Sequence, residues 1–353
     1  MGKRVLFSLF DYIGGIITII LSFICCFSFL SKFIHPSQII TFQWISLFLP
    51  VLLILNGGIL IFWLIRRKKW FWFPLIALIS NFWFYPSVIN WSFSSGDRES
   101  SLEKINIVTY NIHAFRYDKS AQGVSTFIKH KNVDILCLQE IPADMTEDKL
   151  SEIFPFLPYV AITKSSDNSI RTSILSRYPI INTNTISFTE RVNCALAVDM
   201  EIGGRTISVI NCHLQTTNWN QRSLIVAKEN PIDRGYLFPN IQRKVMEQNF
   251  AFRAQQADSL KRLIEKNAHP VIVCCDMNDT PASYVYHNMK GQLTDSFHSA
   301  GYGYTYTYRY MCNLLRIDYI FYSSDHFNGI LHESPDINYS DHNPVIATLS
   351  LTD

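Results

Sequence analysis

The eight residues Val271-Ile272-Val273-Cys274-Cys275-Asp276-Met277-Asn278 hold, in miniature, the plan of the soluble part of this chain. Three β-branched residues and two cysteines have the length and character of a buried strand. The run stops at a carboxylate and, two residues on, at an amide. The pattern recurs. Ile105–Tyr110 runs into Asn111, Ile135–Leu138 into Gln139-Glu140, and Thr206–Asn211 into Cys212-His213. Arg316-Ile317-Asp318 opens a strand that reaches Tyr322, and Tyr339-Ser340-Asp341-His342-Asn343-Pro344 introduces Val345–Leu351. Ser173–Leu175 and Ala195–Met200 are further strand-like runs. Helices are predicted over Gln122–His130 and Ile241–Glu265, the second with Phe250, Ala254, Ala257, Leu260 and Ile264 on one face. Strands outnumber helices, so one α/β domain is expected, without the simple alternation of a parallel sheet.

Composition bounds the rest. With 353 residues, 48% hydrophobic and 17% charged, the chain is not disordered, and eight cysteines are too sparse for a disulfide-stapled mini-protein. The formal net charge of +2 averages two unlike parts. Residues 1–100 hold eight Lys/Arg against three Asp/Glu, whereas residues 101–353 carry a net −3. Three uncharged apolar stretches, Tyr12–Leu30, Ile39–Ile65 and Trp70–Trp91, each reach the roughly 20 residues that cross a bilayer as a helix. They predict a bundle of three transmembrane helices, with Tyr85-Pro86 as an alternative, earlier end for the third. The first exceeds the usual apolar core of a signal peptide, about 7–15 residues. Lys3, Arg4 and Arg66-Arg67-Lys68-Lys69 put the N-terminus and the second turn in the cytoplasm. Three crossings then deliver the remainder to the non-cytoplasmic side of what is expected to be the plasma (cytoplasmic) membrane. The expected division is a membrane anchor over 1–92, a polar linker over 93–102 and an α/β domain over 103–353.

Strands that share a sandwich can bring their polar ends to one rim, gathering several carboxylates, two amides and two imidazoles. Like charges at that density need a cation, since each carboxylate otherwise shifts its pKa upward. Hard oxygen donors with few sulfurs point to Mg²⁺ or Mn²⁺.

Taken in order, Tyr110-Asn111, Leu138-Gln139-Glu140, Ser173-Ile174-Leu175-Ser176-Arg177-Tyr178-Pro179, Asn211-Cys212-His213-Leu214, Asp276-Met277-Asn278-Asp279, Arg316-Ile317-Asp318-Tyr319-Ile320 and Ser340-Asp341-His342-Asn343-Pro344-Val345 resemble the endonuclease/exonuclease/phosphatase superfamily, the deoxyribonuclease-I-like fold. The resemblance runs from about residue 103 to 351. It implies a four-layer α/β/β/α sandwich of two mixed sheets, here a catalytic domain behind the anchor, and metal-dependent cleavage of phosphoester bonds. It implies that Glu140 is the principal Mg²⁺ ligand, with Asn111 beside it on metal or phosphate and Asp341 an additional carboxylate for metal. Asp276 corresponds to the carboxylate that orients or deprotonates the attacking water, and Asn278 to its amide partner on the phosphate. His342 corresponds to the imidazole facing the scissile phosphate, oriented by Asp318. His213 matches a second histidine that stabilises the pentacovalent state or protonates the leaving oxygen. Chemistry agrees with these roles: in-line attack needs an activated water, charge neutralisation and help for the leaving group.

Other residues read more plainly. Asp279, before Thr280-Pro281, is expected to shape a loop. His113 is left outside the acid/base set. Arg171 suits a phosphate contact or a solvated loop equally. Residues 218–249 mix Arg222, Lys228, Arg234, Arg243 and Lys244 with Trp219, Tyr236 and Phe238, and suit either substrate selection or a surface loop running into a helix. The substrate is a phosphoester, with nucleic acid and phospholipid or inositol-phosphate headgroups both open; no protein partner is indicated. A catalytically silent, membrane-tethered binding module with the same fold is the competing reading.

Overall fold

The computed structural model describes residues 2–91, 103–164, 171–188, 193–217 and 237–352. The expected 93–102 linker and residues 218–236 of the expected selection segment lie outside the described residues. The N-terminal part comprises helices α1 (Gly2–Cys26), α2 (Ile40–Ile65) and α3 (Trp72–Ser80), then the short strand β1 (Ile89–Asn90). There follow β2 (Lys104–Asn111), α4 (Ser120–His130), β3 (Ile135–Ile141), α5 (Glu147–Ile153), β4 (Tyr159–Ile162), β5 (Arg171–Ser176), β6 (Ile180–Ser187), β7 (Cys194–Ile202) and β8 (Arg205–His213). The last part holds α6 (Leu237–Glu265), β9 (Val271–Asp276), α7 (Tyr284–Lys290), β10 (Thr294–Asp295), α8 (Ser296–Ala300), β11 (Gly303–Tyr304), β12 (Asp318–Tyr322), β13 (Phe327–Glu333) and β14 (Val345–Leu351).

Two six-stranded sheets run in the orders β13-β14-β2-β3-β5-β4 and β10-β12-β9-β8-β7-β6. Parallel pairs, β2 with β3 and β8 with β9, sit among antiparallel neighbours, so both sheets are mixed. Alternation along each strand sorts its side chains between two faces. Ile105, Ile107, Ile135 and Cys137 meet Val198, Val209, Ile272 and Cys274 between the sheets. Val108, Tyr110, Leu136 and Leu138 face outward onto α4 and α5. Ile210, Cys212, Val273 and Cys275 face outward onto α6 and α7. The layers are therefore helix, sheet, sheet, helix, as expected. Strands buried on both faces read as unbroken apolar runs, which is why β9 is visible in the sequence.

A pair of amides joins the sheets below the rim. Gln139 Nε2 donates to Asn211 Oδ1 (2.7 Å) and Thr109 Oγ1 (2.8 Å), and Asn211 Nδ2 donates to the carbonyls of Leu138 (2.9 Å) and Ser173 (2.8 Å). These bonds fix the height of β3 relative to β8, and with it that of Glu140 relative to His213.

The expectation of three spanning helices is corrected. Helices Leu9–Lys32 and Ile40–Ile65, of 24 and 26 residues, are long and apolar enough to cross a membrane. The third stretch, Trp70–Trp91, is not one helix. Its α3 has nine residues and rises about 13 Å, against about 30 Å of hydrocarbon core. Asn81 closes it: Nδ2 donates to the carbonyls of Ala77 and Cys25 (2.9 Å each), and Oδ1 accepts from Ser28 Oγ at 2.7 Å. Tyr85-Pro86-Ser87 then turns the chain, and β1 pairs with β11 of the domain. The turn that leads into α3 lies close against α1, where a Cβ on Gly15 would fall 2.7 Å from the Trp70 ring. At the far end Asp11 pairs with Lys68 (2.9 Å) and Arg66.

α6 begins at Leu237, four residues before its expected start, so the end of the 218–249 segment is helical. Its Met246 and Phe250 pack on Leu47 of α2, with Trp44 edge-on to Phe250 at 5.1 Å.

Asn211→Leu should strand Gln139 and the two carbonyls in the core and lower unfolding stability by on the order of 3 kcal/mol. Denaturant melts of the purified chain check this, and an unchanged midpoint would argue against the inter-sheet tie.

Candidate active site

Register assembles the centre of the site. His213 at the end of β8 pairs across to Asp276 at the end of β9, and Asp276 pairs to Asp318 at the start of β12, placing three functional side chains in one row. His342 joins from the loop before β14, its Nδ1 2.9 Å from Asp318 Oδ2 and its Nε2 3.8 Å from Asp276 Oδ2. From the facing sheet, Asn111 Nδ2 donates to Asp276 Oδ2 at 2.9 Å. Asn278 closes the other side: its backbone N–H donates to Asp276 Oδ1 (2.9 Å) and its Nδ2 lies 3.2 Å from His213 Nε2. Glu140 Oε1 stands 3.6 Å from the same Nε2. Asp341 is reached through His113, whose Nδ1 is 3.4 Å from Asp341 Oδ1 and 3.5 Å from Glu140 Oε2. All eight residues predicted from strand ends thus converge.

Burial grades the site. The Asp276 side chain is 0% exposed and that of Asp318 1%, whereas Glu140 and His113 at the mouth are 25% and 29% exposed. Burial alone would deprotonate His342, but the Asp318 and Asp276 carboxylates beside it hold its imidazolium and push its pKa up to about 10. Burial pushes Asp318 above the usual carboxylate range, against the pull of His342. Burial likewise opposes ionisation of Glu140, but the His113 contact, then the imidazoles of His213 and His342, outweigh it and hold the carboxyl down at about 2. At neutral pH the site therefore combines carboxylates with an imidazolium locked by a carboxylate.

Backbone strain collects here as well. His113, Ala114 and Phe115 have φ of 46°, 52° and 51°, Glu140 54° and Asn278 52°, in the left-handed region that non-glycine residues seldom occupy. Glu140 lies where the β3–β5 register shifts, between Leu138 and Ile141. Such conformations persist only where the surroundings over-determine them, and they cluster at functional sites.

Sequence reasoning missed several neighbours. His113 bridges Glu140 and Asp341, and its spacing two residues after Asn111 was the available signal. Tyr308 stands with its ring 5.2 Å from that of His342, backed by Tyr310 at 5.5 Å, and Tyr117 lies 6.0 Å from His113. Their alternation in Tyr304–Tyr310 marks them only in hindsight. Asn193 Nδ2 lies 3.4 Å from His213 Nδ1. Arg171 is engaged elsewhere, donating to the carbonyls of Ala143 (3.1 Å), Met145 (2.7 Å) and Thr163 (3.3 Å). Asp279 does more than shape its loop: it is buried against Gln43 and Arg253.

The donor set suits a hard divalent cation. Glu140 and Asp341 offer carboxylate oxygens at the open end, and behind them the buried Asn111 amide oxygen accepts from the His113 backbone N–H at 3.0 Å. Deeper in, Asp276, Asp318 and His342 hold ligand atoms within 4.8 Å of one another, with Asp318 Oδ1 lacking a hydrogen-bond partner among the described residues.

A model of the endonuclease/exonuclease/phosphatase family matches residues 108–342. The chain belongs to that family. A second family, described only as a domain of unknown function, matches residues 8–88. No curated protein matches the chain. Among solved structures, a family member from Bacteroides thetaiotaomicron is 16% identical, with 72% of this chain and 100% of that one aligned at a TM-score of 0.52. One from Bacteroides vulgatus is 19% identical over 71% and 100% of the two chains, with a TM-score of 0.51. TDP2 from D. rerio, complexed with a single-strand DNA product, is 14% identical over 70% and 99%, also at 0.51. At these identities the likeness concerns the fold.

Asp318→Asn should remove the nearer of the two carboxylates that hold the His342 proton, leaving Asp276 to oppose burial without it, so the imidazole should titrate at least about one unit lower, followed by NMR of the ring. The sign for stability follows from a raised pKa. The His342 contribution is complete below its unfolded value near 6.5 and is lost as pH rises toward about 10.

Proposed function

We propose that this protein is a membrane-anchored phosphoesterase, Mg²⁺-dependent with Mn²⁺ as an alternative, that hydrolyses phosphodiester or phosphomonoester bonds by attack of water. The observation that carries the reading is the convergence of Asp276, His213, Glu140 and the Asp318–His342 pair on one graded pocket. In this reading Glu140, Asp341 and Asn111 would hold the cation, which when bound supplies charge neutralisation at the phosphoryl oxygens. Asp276, fixed at one oxygen by the Asn111 side chain and at the other by the Asn278 backbone, orients the water or takes its proton. His342 keeps its positive charge beside the non-bridging oxygens because Asp318 holds Nδ1. His213 stands across from it, suited to stabilise the pentacovalent state or to protonate the leaving oxygen, and the Asn278 amide steadies the phosphate. A silent binding module would not need this acid/base set in full.

Residues 1–92 serve as the anchor and 103–353 as the catalytic domain. Only 28% of the most apolar stretch of either long helix is buried, leaving Ile17, Ile20, Phe23, Ile54 and Ile61 exposed as a face too apolar for water. From Asp11 to Cys26 α1 rises about 23 Å, and from Ser46 to Ile65 α2 rises about 28 Å, close to the hydrocarbon thickness. Arg66-Arg67-Lys68-Lys69 lie at the end away from the domain. The third stretch, though not a spanning helix, runs back along α1 from Trp70 beside Gly15 to Asn81 beside Cys25 and Ser28. Together these favour a domain on the non-cytoplasmic face of the plasma membrane. Phospholipid or inositol-phosphate headgroups are favoured as substrate by the anchor; the DNA product bound by the D. rerio relative keeps nucleic acid as the second class to assay.

Glu140→Ala and His342→Ala in the full chain should each lower turnover of a generic phosphodiester at least about 100-fold without unfolding the domain. Wild-type turnover in either would defeat the reading. Chelation should stop the reaction and Mg²⁺ or Mn²⁺ restore it; rescue by zinc alone would argue for a different site. A reporter fused after Asp353 should be active only outside the cytoplasm, and a cytoplasmic signal would reverse the orientation.

A further inference from the structure

The loop that carries Asp276 and Asn278 continues into Asp279-Thr280-Pro281-Ala282, and this continuation is held by the anchor. Gln43 Nε2, in the first turn of α2, donates to both carboxylate oxygens of Asp279, at 3.0 and 2.9 Å. Thr280 Oγ1 donates to the Ser46 carbonyl (3.0 Å), and Ser31 Oγ, in the turn between α1 and α2, donates to the Ala282 carbonyl (2.6 Å). On the other side of Asp279, Arg253 Nη1 of α6 lies 3.3 Å from Oδ2. The same guanidinium ties down the segment after His213: Nε donates to the Gln215 carbonyl and Nη2 to Thr217 Oγ1, both at 2.7 Å. Gln43 is 3% exposed and Asp279 1%, so neither has water in place of its partner.

An amide buried on a largely apolar helix is costly unless it is hydrogen-bonded, and α2 has two: Asn56 bonds within the helical bundle, whereas Gln43 bonds to the domain. Gln43 directs its amide to the residue adjoining Asn278. Asn278 itself holds a strained φ of 52° while its backbone N–H fixes Asp276 Oδ1 and its side chain touches His213. A backbone in that region moves when its neighbours let go.

We propose that α2 is part of the active-site scaffold, with Gln43 a positioning residue that acts through Asp279 to set the Asp276-Met277-Asn278 backbone against His213. The anchor is then a structural member of the catalytic centre rather than a tether, and the domain cut free of it loses precision at this loop. Only the turnover readout rests on the phosphoesterase reading.

The test uses the full chain in detergent micelles, with amide hydrogen exchange over 277–283 and turnover of bis(p-nitrophenyl) phosphate with Mg²⁺. Gln43→Leu should speed exchange there and lower kcat about 10- to 100-fold while KM moves less than about twofold, as misplacement of catalytic groups does. The exchange of partners, Gln43→Glu with Asp279→Asn, keeps one amide, one carboxylate and Arg253, and should recover most of both. Asn56→Leu is the control: Asn56 is buried in the same bundle, bonded to Ser22 and Cys25, and should leave the loop and kcat as in the wild type. The proposal is overturned if Gln43→Leu keeps wild-type protection, if it loses protection with kcat intact in an active enzyme, or if Asn56→Leu reproduces its effect. Should the wild type not turn over the substrate, the phosphoesterase reading fails, and the exchange data still decide the scaffold.

Discussion

Four carboxylates and three imidazoles share one end of the sandwich, and the rest of the structure serves to make that affordable. Asp276 and Asp318 are buried beside each other, and such a pair would take up a proton unless a positive charge stood beside it. His342 supplies it at 2.9 Å from Asp318. At the open end His113 lies between Glu140 and Asp341 in the same way. The buried half of the site is thus balanced by an imidazolium, while the exposed half offers oxygens to a cation. One pocket presents a fixed acid/base set below and an adjustable charge above.

Rigidity follows from the same constraint. Charges this close tolerate little displacement, and each is pinned from more than one element. Asp276 is set by register with β8 and β12 and by bonds from Asn111 and Asn278. Glu140 is set by a bulge and, one residue before it, by the Gln139–Asn211 tie between sheets. The strained φ values at His113, Glu140 and Asn278 are the local cost of aiming side chains into a rim that regular strand geometry would pass by. The aromatic wall of Tyr308, Tyr310 and Tyr117 borders the imidazoles of His342 and His113 and leaves the carboxylates Glu140 and Asp341 at the mouth.

The junction between the N-terminal helices and the domain changes how the N-terminal region is understood. A flexible tether would let the domain turn freely about those helices. Instead Ser31, Gln43, Ser46 and Ser87 meet Ala282, Asp279, Thr280 and Arg316 through buried hydrogen bonds. β1 pairs with β11, and Asn90 Nδ2 donates to the Phe297 carbonyl at 2.8 Å. The site is held at a set height and orientation relative to the helices.

Much of this was legible in one dimension. Central strands such as β2, β3, β8, β9 and β14 are buried on both faces, so their apolar runs stand out, and their polar last residues mark the rim. In the two six-stranded sheets the strands that escaped, β4, β6, β10 and β13, are the four edges, paired on one side and too short or too polar to announce themselves, and the two-residue β1 and β11 escaped with them. Trp70–Trp91 passed for a span because hydropathy counts residues and not the turn that Asn81 imposes, well before the break marked by Tyr85-Pro86. His113 and Asp279 were passed over for a related reason: nothing local distinguishes a histidine that will lie between two carboxylates, or an aspartate that will meet a glutamine 236 residues earlier. Sequence by itself determined which residues end strands, because burial of a strand is written in its own side chains. Only the tertiary structure decided which ends meet and which charges neutralise each other, because those outcomes depend on distances between residues far apart in the chain.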